Sequence, residues 1–129
     1  MKSLYDAVKA VVSLVPAVRT ASANGTGVDT QGYNTAMVVI NAGDIDLANA
    51  DETYNFKVQD SADNSTFADI TGATAVVTAD NDTKVIRVDG LGTSVDRYIR
   101  VVATLAGTTP SCPSAATVLL GNGFNKPAN

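Results

Sequence analysis

The sequence predicts an all-β protein: an antiparallel β-sandwich or a jelly-roll-like barrel, preceded by an N-terminal arm or a short helix. Two observations carry this prediction. Short apolar segments with the two-residue period of strands recur along the chain, and clusters of Gly, Asn and Asp separate them. Beyond the N-terminus, no segment shows a convincing helical period. Strands at this spacing, with turn chemistry between them, are typical of sandwiches and small barrels.

The N-terminal segment, residues 3–15, leaves two structures open. Its apolar residues fall at spacings compatible with one helical face: Leu4, Val8, Val11, Val12 and Val15. β-Branched valines and Pro16 disfavour a helix, so an extended arm is the alternative. The segment either packs on its own domain or reaches a neighbouring subunit. Asp6, Lys9 and Arg19 interrupt its apolar run, and we therefore do not interpret it as a signal peptide.

The remaining strands are predicted from local patterns. Residues 35–41 form a short apolar run, which we interpret as a strand buried on both sides. Residues 53–60 alternate most clearly, with Tyr54, Phe56 and Val58 on one face. A polar hairpin connection at 61–65 leads to an antiparallel return. The other predicted strands cover residues 66–70, 84–89, 97–105 and 115–120.

Length and composition favour a single small domain that gains from association. The 129 residues suffice for one core, and we expect an arm at 1–18, a β-sandwich domain at 19–121 and a tail at 122–129. Aromatic residues make up 5% of the chain and Trp is absent, so Val and Ala supply most of the core. Such a core gains less per residue than one rich in Leu and Phe. Oligomerisation or docking on a partner is therefore expected.

Charge and residue inventory disfavour several classes of function. A net charge of −4 argues against nucleic acid and against anionic membrane surfaces. The chain has no His, which removes the commonest general base and metal ligand. Its one cysteine, Cys112, lies in a turn-like stretch without an activating His, and we interpret it as a passive small residue. We expect no enzymatic activity, no catalytic residues, no cofactor and no metal.

Two groups of carboxylates keep alternatives open. Asp44, Asp46, Asp51 and Glu52 offer oxygen ligands for calcium, but their spacing is not that of an EF-hand, and solvated loop carboxylates are the preferred interpretation.

The second group flanks the predicted hairpin. Asp60, Asp63 and Asp69 would form a glycosidase-like set only around a sugar cleft with aromatic platforms. No Trp is present and Phe67 is expected in the core, so this interpretation is disfavoured.

Four stretches, distributed over most of the chain from about residue 27 to residue 120, occur in the order of motifs found in small structural proteins of tailed bacteriophages. They are GVDTQGY at 27–33, FKVQDSADNSTFAD at 56–69, RYIRVV at 97–102 and GTTPS at 107–111. Each is hairpin or strand chemistry that many β-sandwiches use. In their order and joint presence, the four stretches resemble those of the family of capsid decoration, or cement, proteins.

This resemblance implies a virion protein on the outer surface of the capsid. Its partners would be the major capsid protein and further copies of itself, as a dimer or trimer. The residues expected to contact the capsid or a neighbouring subunit are Leu4, Tyr5, Val8, Val11 and Val12. Two alternatives remain open: a β-sandwich that binds carbohydrate or a host surface, and a tail or neck component of the virion.

Overall fold

Two antiparallel sheets pack face to face in a computed structural model, which describes residues 3–121. The elements are α1 (Leu4–Ala7), β1 (Val8–Arg19), β2 (Ala23–Asn24), β3 (Val28–Asp29), β4 (Thr35–Ala42), β5 (Thr53–Ser61), β6 (Ala68–Val77), β7 (Thr83–Asp89), β8 (Tyr98–Ala106) and β9 (Cys112–Gly121). The front sheet has the order β1-β9-β4-β7. The back sheet has the order β2-β8-β5-β6, with β3 also paired to β8. The predicted all-β sandwich with a short N-terminal helix is confirmed. The predicted tail, 122–129, lies outside the described residues.

The core lies between the two sheets and follows the two-residue period of the strands. Tyr54, Phe56 and Val58 point inward from β5, as predicted, and meet Val38 and Ile40 from β4; all five are at most 1% exposed. The Tyr54 hydroxyl donates to the Asp46 carbonyl (2.5 Å) and accepts from the Ser111 N–H (2.9 Å). The buried aromatic ring therefore also ties together the two loops at its end of the sandwich.

The N-terminal segment packs on its own domain. Ser3 caps α1 by accepting the Asp6 N–H, and the helix ends after one turn. The valines that follow favour extended backbone, and β1 pairs antiparallel with β9 from Val8 to Arg19. Residues 8–18 of the predicted arm are thus an edge strand of the front sheet.

Irregular pairing in β1 joins the two sheets. The register with β9 shifts between Val12 and Leu14, and the buried Ser13 turns toward the back sheet. Its hydroxyl donates to the Thr26 carbonyl (2.9 Å) and accepts the Val101 N–H (3.0 Å). One side chain of the front sheet therefore satisfies two backbone groups of the other layer.

A second irregularity surrounds Pro16, which cannot donate a ladder hydrogen bond and is tolerated on an edge strand. The buried Arg19 guanidinium donates to the carbonyls of Val15 (2.8 Å), Ala17 (3.3 Å) and Ser114 (3.1 Å). It thereby supplies donors to carbonyls around the bulge.

Three sequence predictions need correction. β4 is buried on its inner side only, because Met37 and Asn41 on the other side are exposed. Phe67 is half-buried outside the core, where the Arg100 guanidinium lies 4.1 Å from its ring centroid. The return strand also runs further than the predicted 66–70, to Val77, around a bulge at Gly72, whose φ of +81° suits glycine.

Replacing Ser13 by Ala is expected to lower the free energy of unfolding by about 1–3 kcal/mol, because the buried Val101 N–H and the partly buried Thr26 carbonyl lose their partner. Urea unfolding with an unchanged m-value measures this effect. Ser65→Ala is the matched control, since exposed Ser65 bonds Asp63 through its backbone N–H. Equal stability of the two variants would contradict the role of Ser13.

The ion pair of Asp29 with Arg97, where β3 meets β8, predicts that the folded protein loses stability in acid. The Asp29 carboxylate accepts Arg97 Nε (2.9 Å) and Nη2 (2.8 Å), and these bonds lower its pKa from 3.8 to about 2. A lowered pKa contributes stability that is present above pH 3.8 and lost as the pH falls toward about 2. Asp29→Asn should therefore flatten the decline of the urea midpoint across this window.

Arg97→Gln should flatten the decline in the same way, and Asp29→Asn should add little in that background, where the Gln31 N–H still bonds the carboxylate. A wild-type protein and an Asp29→Asn variant that lose stability in parallel would exclude the pair as the cause. The effect is modest, because both side chains are nearly half exposed.

Candidate interaction surface

The outer side of the front sheet is apolar, which is unusual for a sheet that faces solvent. In an antiparallel sandwich the outward positions are ordinarily polar. Here they are mostly aliphatic in the half of each of the four strands that lies nearest α1. We call this surface the front face; its residues are Val8, Ala10, Val12, Thr35, Met37, Val39, Val85, Arg87, Thr117, Leu119 and Gly121.

The strand register builds the front face as rows that cross the sheet. One row joins Ala10, Leu119, Met37 and Arg87. The next joins Val12, Thr117, Val39 and Val85. Directly opposed side chains on one face of a sheet lie about 5 Å apart, so each row is a contiguous surface.

The front face continues into α1. Leu4 is 78% exposed and Tyr5 is 73% exposed, while Met37 and Val85 on the sheet are 40% and 54% exposed. Between the helix and the sheet lies an open groove of about 750 Å³, whose lining is almost entirely apolar. Exposed apolar surface of this kind marks sites of interaction with other molecules.

The outer side of the back sheet is different in chemistry. Asp69 accepts from Lys57 Nζ (3.2 Å) and Gln59 Nε2 (2.7 Å), and Gln59 accepts Arg100 Nε (2.9 Å). Cross-strand polar pairs of this kind suit a solvated face. The two outer faces of one sandwich are thus unlike, and the front face is the candidate interaction surface.

The charged groups at the margin of the front face are paired with each other. The Thr35 hydroxyl donates to Asp89 (2.8 Å), and Arg87 Nε lies 2.6 Å from the same carboxylate. Thr35 first, and Arg87 after it, lower the pKa of Asp89. The one cation within the front face therefore has its counter-ion at the edge strand.

The structure brings together four of the five contact residues predicted from the sequence. Leu4 and Tyr5 project from α1, while Val8 and Val12 (44% exposed) lie on the front face. Val11 points the other way and packs against the core. The helical spacing grouped it with the others, whereas strand alternation separates neighbouring residues.

Sequence reasoning missed Met37, Val39, Val85 and Leu119. The signal was present in the run at 35–41, which is apolar at both inward and outward positions. That pattern was interpreted as burial on both sides within one chain. In the structure its second side faces outward, and the excess of apolar residues forms the centre of the front face.

The carboxylates considered for calcium lie in loops at the opposite end of the sandwich. Asp44 accepts Asn81 Nδ2, Asp46 accepts the Ala48 N–H, and Asp51 accepts from Thr108. Among residues 3–121, no group of three His, Cys, Asp or Glu side chains is arranged to hold a metal ion.

The hairpin carboxylates also serve local structure. Asp63 caps its own turn through the Ser65 and Thr66 N–H groups, and Asp60 accepts the Asp96 N–H. Asp69 belongs to the network of the back sheet described above. Asp60 and Asp69 line an open and mostly polar cavity of about 580 Å³, but no aromatic side chain that could stack on a sugar is among its lining residues.

Cys112 is the first residue of β9 rather than part of a turn. It is buried, and burial raises the pKa of its thiol. A raised pKa lowers the thiolate fraction and with it the reactivity.

The stretches that carry the phage resemblance map mainly to the back sheet and its loops. Asp29 bonds Arg97, Thr30 Oγ1 donates to the Arg97 carbonyl, and Arg100 joins Phe67 to Gln59. These residues support the fold, whereas the front face lies outside the four stretches.

A scan against protein-family models and a search of curated proteins both find no match to this chain. In the described part of the chain, no helix is long and apolar enough to cross a membrane.

Proposed function

We propose that this chain is a non-enzymatic decoration protein of a tailed-bacteriophage capsid. It binds the outer surface of the head and bridges neighbouring copies of the major capsid protein. The sequence resemblance supplies the class of protein, and one structural observation carries the mechanism: a contiguous apolar surface runs from α1 across the front face.

The proposed mechanism is mechanical. A rigid sandwich presents α1 at one end, and the exposed Leu4 and Tyr5 contact the shell. A single contact of this size is weak, but linked contacts to several shell subunits multiply into a high avidity. Such bridges oppose the separation of capsid proteins under the outward pressure of packaged DNA.

The distribution of polar groups agrees with this proposal. Carboxylates in the loops bond to nearby backbone and side-chain donors, as in Asp63 with Thr66 and Asp51 with Thr108. The apolar groove beside α1 carries no comparable set of convergent polar groups, whereas a sugar or small-substrate site requires one. An apolar contact with another protein suits this surface better than recognition of a polar ligand.

Leu4→Asp is expected to weaken binding to purified expanded heads of the matching phage at least tenfold in a co-sedimentation assay, about 1.4 kcal/mol. The substitution introduces charge at an apolar contact, yet an acidic residue in the first turn of α1 is compatible with the helix. The protection that the protein gives heads against heating should fall in parallel.

Leu47→Asp is the matched control, because Leu47 is also exposed (47%) but lies in the loop between β4 and β5. Deleting the first 15 residues would not test the proposal, since it removes much of β1 from its pairing with β9. If the wild-type protein does not bind such heads but binds a glycan array, the proposal is overturned in favour of a carbohydrate-binding module.

A further inference from the structure

We infer that the front face is covered by the front face of a second copy, related by a two-fold axis, so that four sheets stack in a homodimer. The inference deepens the proposed function, because it assigns a surface to the self-association expected there and leaves α1 at the margin for the capsid. Dimerisation is tested without capsids, so the inference and the proposed function can fail separately.

The first argument is the apolar excess of the two central strands. β9 and β4 alternate between buried core residues and half-buried or exposed aliphatic ones, such as Leu119, Met37 and Val39. Strands that are apolar on both sides are typical of sheets covered on both sides. The back sheet covers one side of these strands, and the residues on the other side are apolar, like those of a protein interior.

The second argument is area. Four strands about 4.8 Å apart, over about five residues at about 3.4 Å each, give the front face a projected area of about 300 Å². A stable dimer takes about 800 Å² from each partner. Exposed Val18 (66%), which pairs with Pro113 on the same side of the sheet, adds to the face along β1. The face is smaller than the contact of a standard stable dimer, so the inferred dimer is a weak one that forms at high protein concentration.

The third argument is charge. The chain has a net charge of −4, so two copies repel each other over most orientations. Arg87 is the one charged residue of the front face, and the adjacent Asp89, opposite Thr35, neutralises it at 2.6 Å. Contact through this face therefore brings no like charges together, whereas the loops around Asp44, Asp46 and Asp51 would do so.

The fourth argument is shape. A two-fold interface needs a surface that complements itself, and twisted sheets meet this need by stacking about 10 Å apart at about −30°. The front and back sheets of this chain already pack as such layers. A second copy repeats that packing on the open side of the front sheet.

Val85→Lys is expected to raise the dimer dissociation constant at least tenfold in sedimentation velocity across a concentration series, because it places a charge within the apolar face. Val76→Lys is the matched control: Val76 is similarly exposed (47%) but lies on β6, the edge strand of the back sheet. Circular dichroism and urea unfolding establish that both variants fold.

Val39→Glu, opposite Val85 on the same face, should act like Val85→Lys with a charge of opposite sign. Wild-type protein that remains monomeric at several hundred micromolar would overturn the inference, as would equal dissociation constants for the two lysine variants. A monomer whose capsid binding is lost in Val85→Lys would show that the shell covers the front face. That result would refute the dimer and leave the proposed function standing.

Discussion

The sandwich depends on the way β1 is fastened to both of its layers. This strand pairs with β9 along the front sheet, and at its first bulge Ser13 bonds the Thr26 carbonyl and the Val101 N–H of the back layer. A buried hydroxyl with both bonds made is stabilising, and its loss leaves the buried Val101 N–H without this partner. Because β1 is fixed here, α1 is held at the rim, and Val8 and Val12 of β1 join the front face.

The same strand shows how an edge is protected. Pro16 and the bulge around it interrupt the free edge, and the buried Arg19 supplies donors to carbonyls there. At the other edge of the front sheet, β7 carries the ion pairs of Lys84 with Asp82 and Arg87 with Asp89. Pairing of a further strand at either edge of the sheet is thus disfavoured, while the outer side of the sheet stays exposed. Association through a face rather than an edge is what this distribution favours.

The two outer faces of the sandwich differ in polarity and in their proposed roles. On the back sheet, Lys57, Gln59, Asp69 and Arg100 form a polar network that suits solvent and stiffens the strands. On the front sheet, aliphatic residues of four strands lie side by side with one cation among them. A thin core of small side chains gains modestly per residue, so covering this second apolar surface would add stability that one copy lacks. This is the physical link between the composition of the chain and its proposed assembly.

The class of fold, most strand positions and the inward residues of β5 are predictable from residue patterns, because alternation of apolar and polar residues is a local property that the pleat converts directly into faces. The excess of apolar residues at 35–41 is also visible in the sequence. That residues 8–19 form a strand of their own domain follows from their pairing with β9, since their spacing fits a helix and their β-branched residues fit a strand. Tertiary pairing also turns Val11 inward and brings Met37, Val85 and Leu119 onto one surface. These residues lie far apart in the sequence, and the pairing of β4 with β7 and β9 that joins them is non-local.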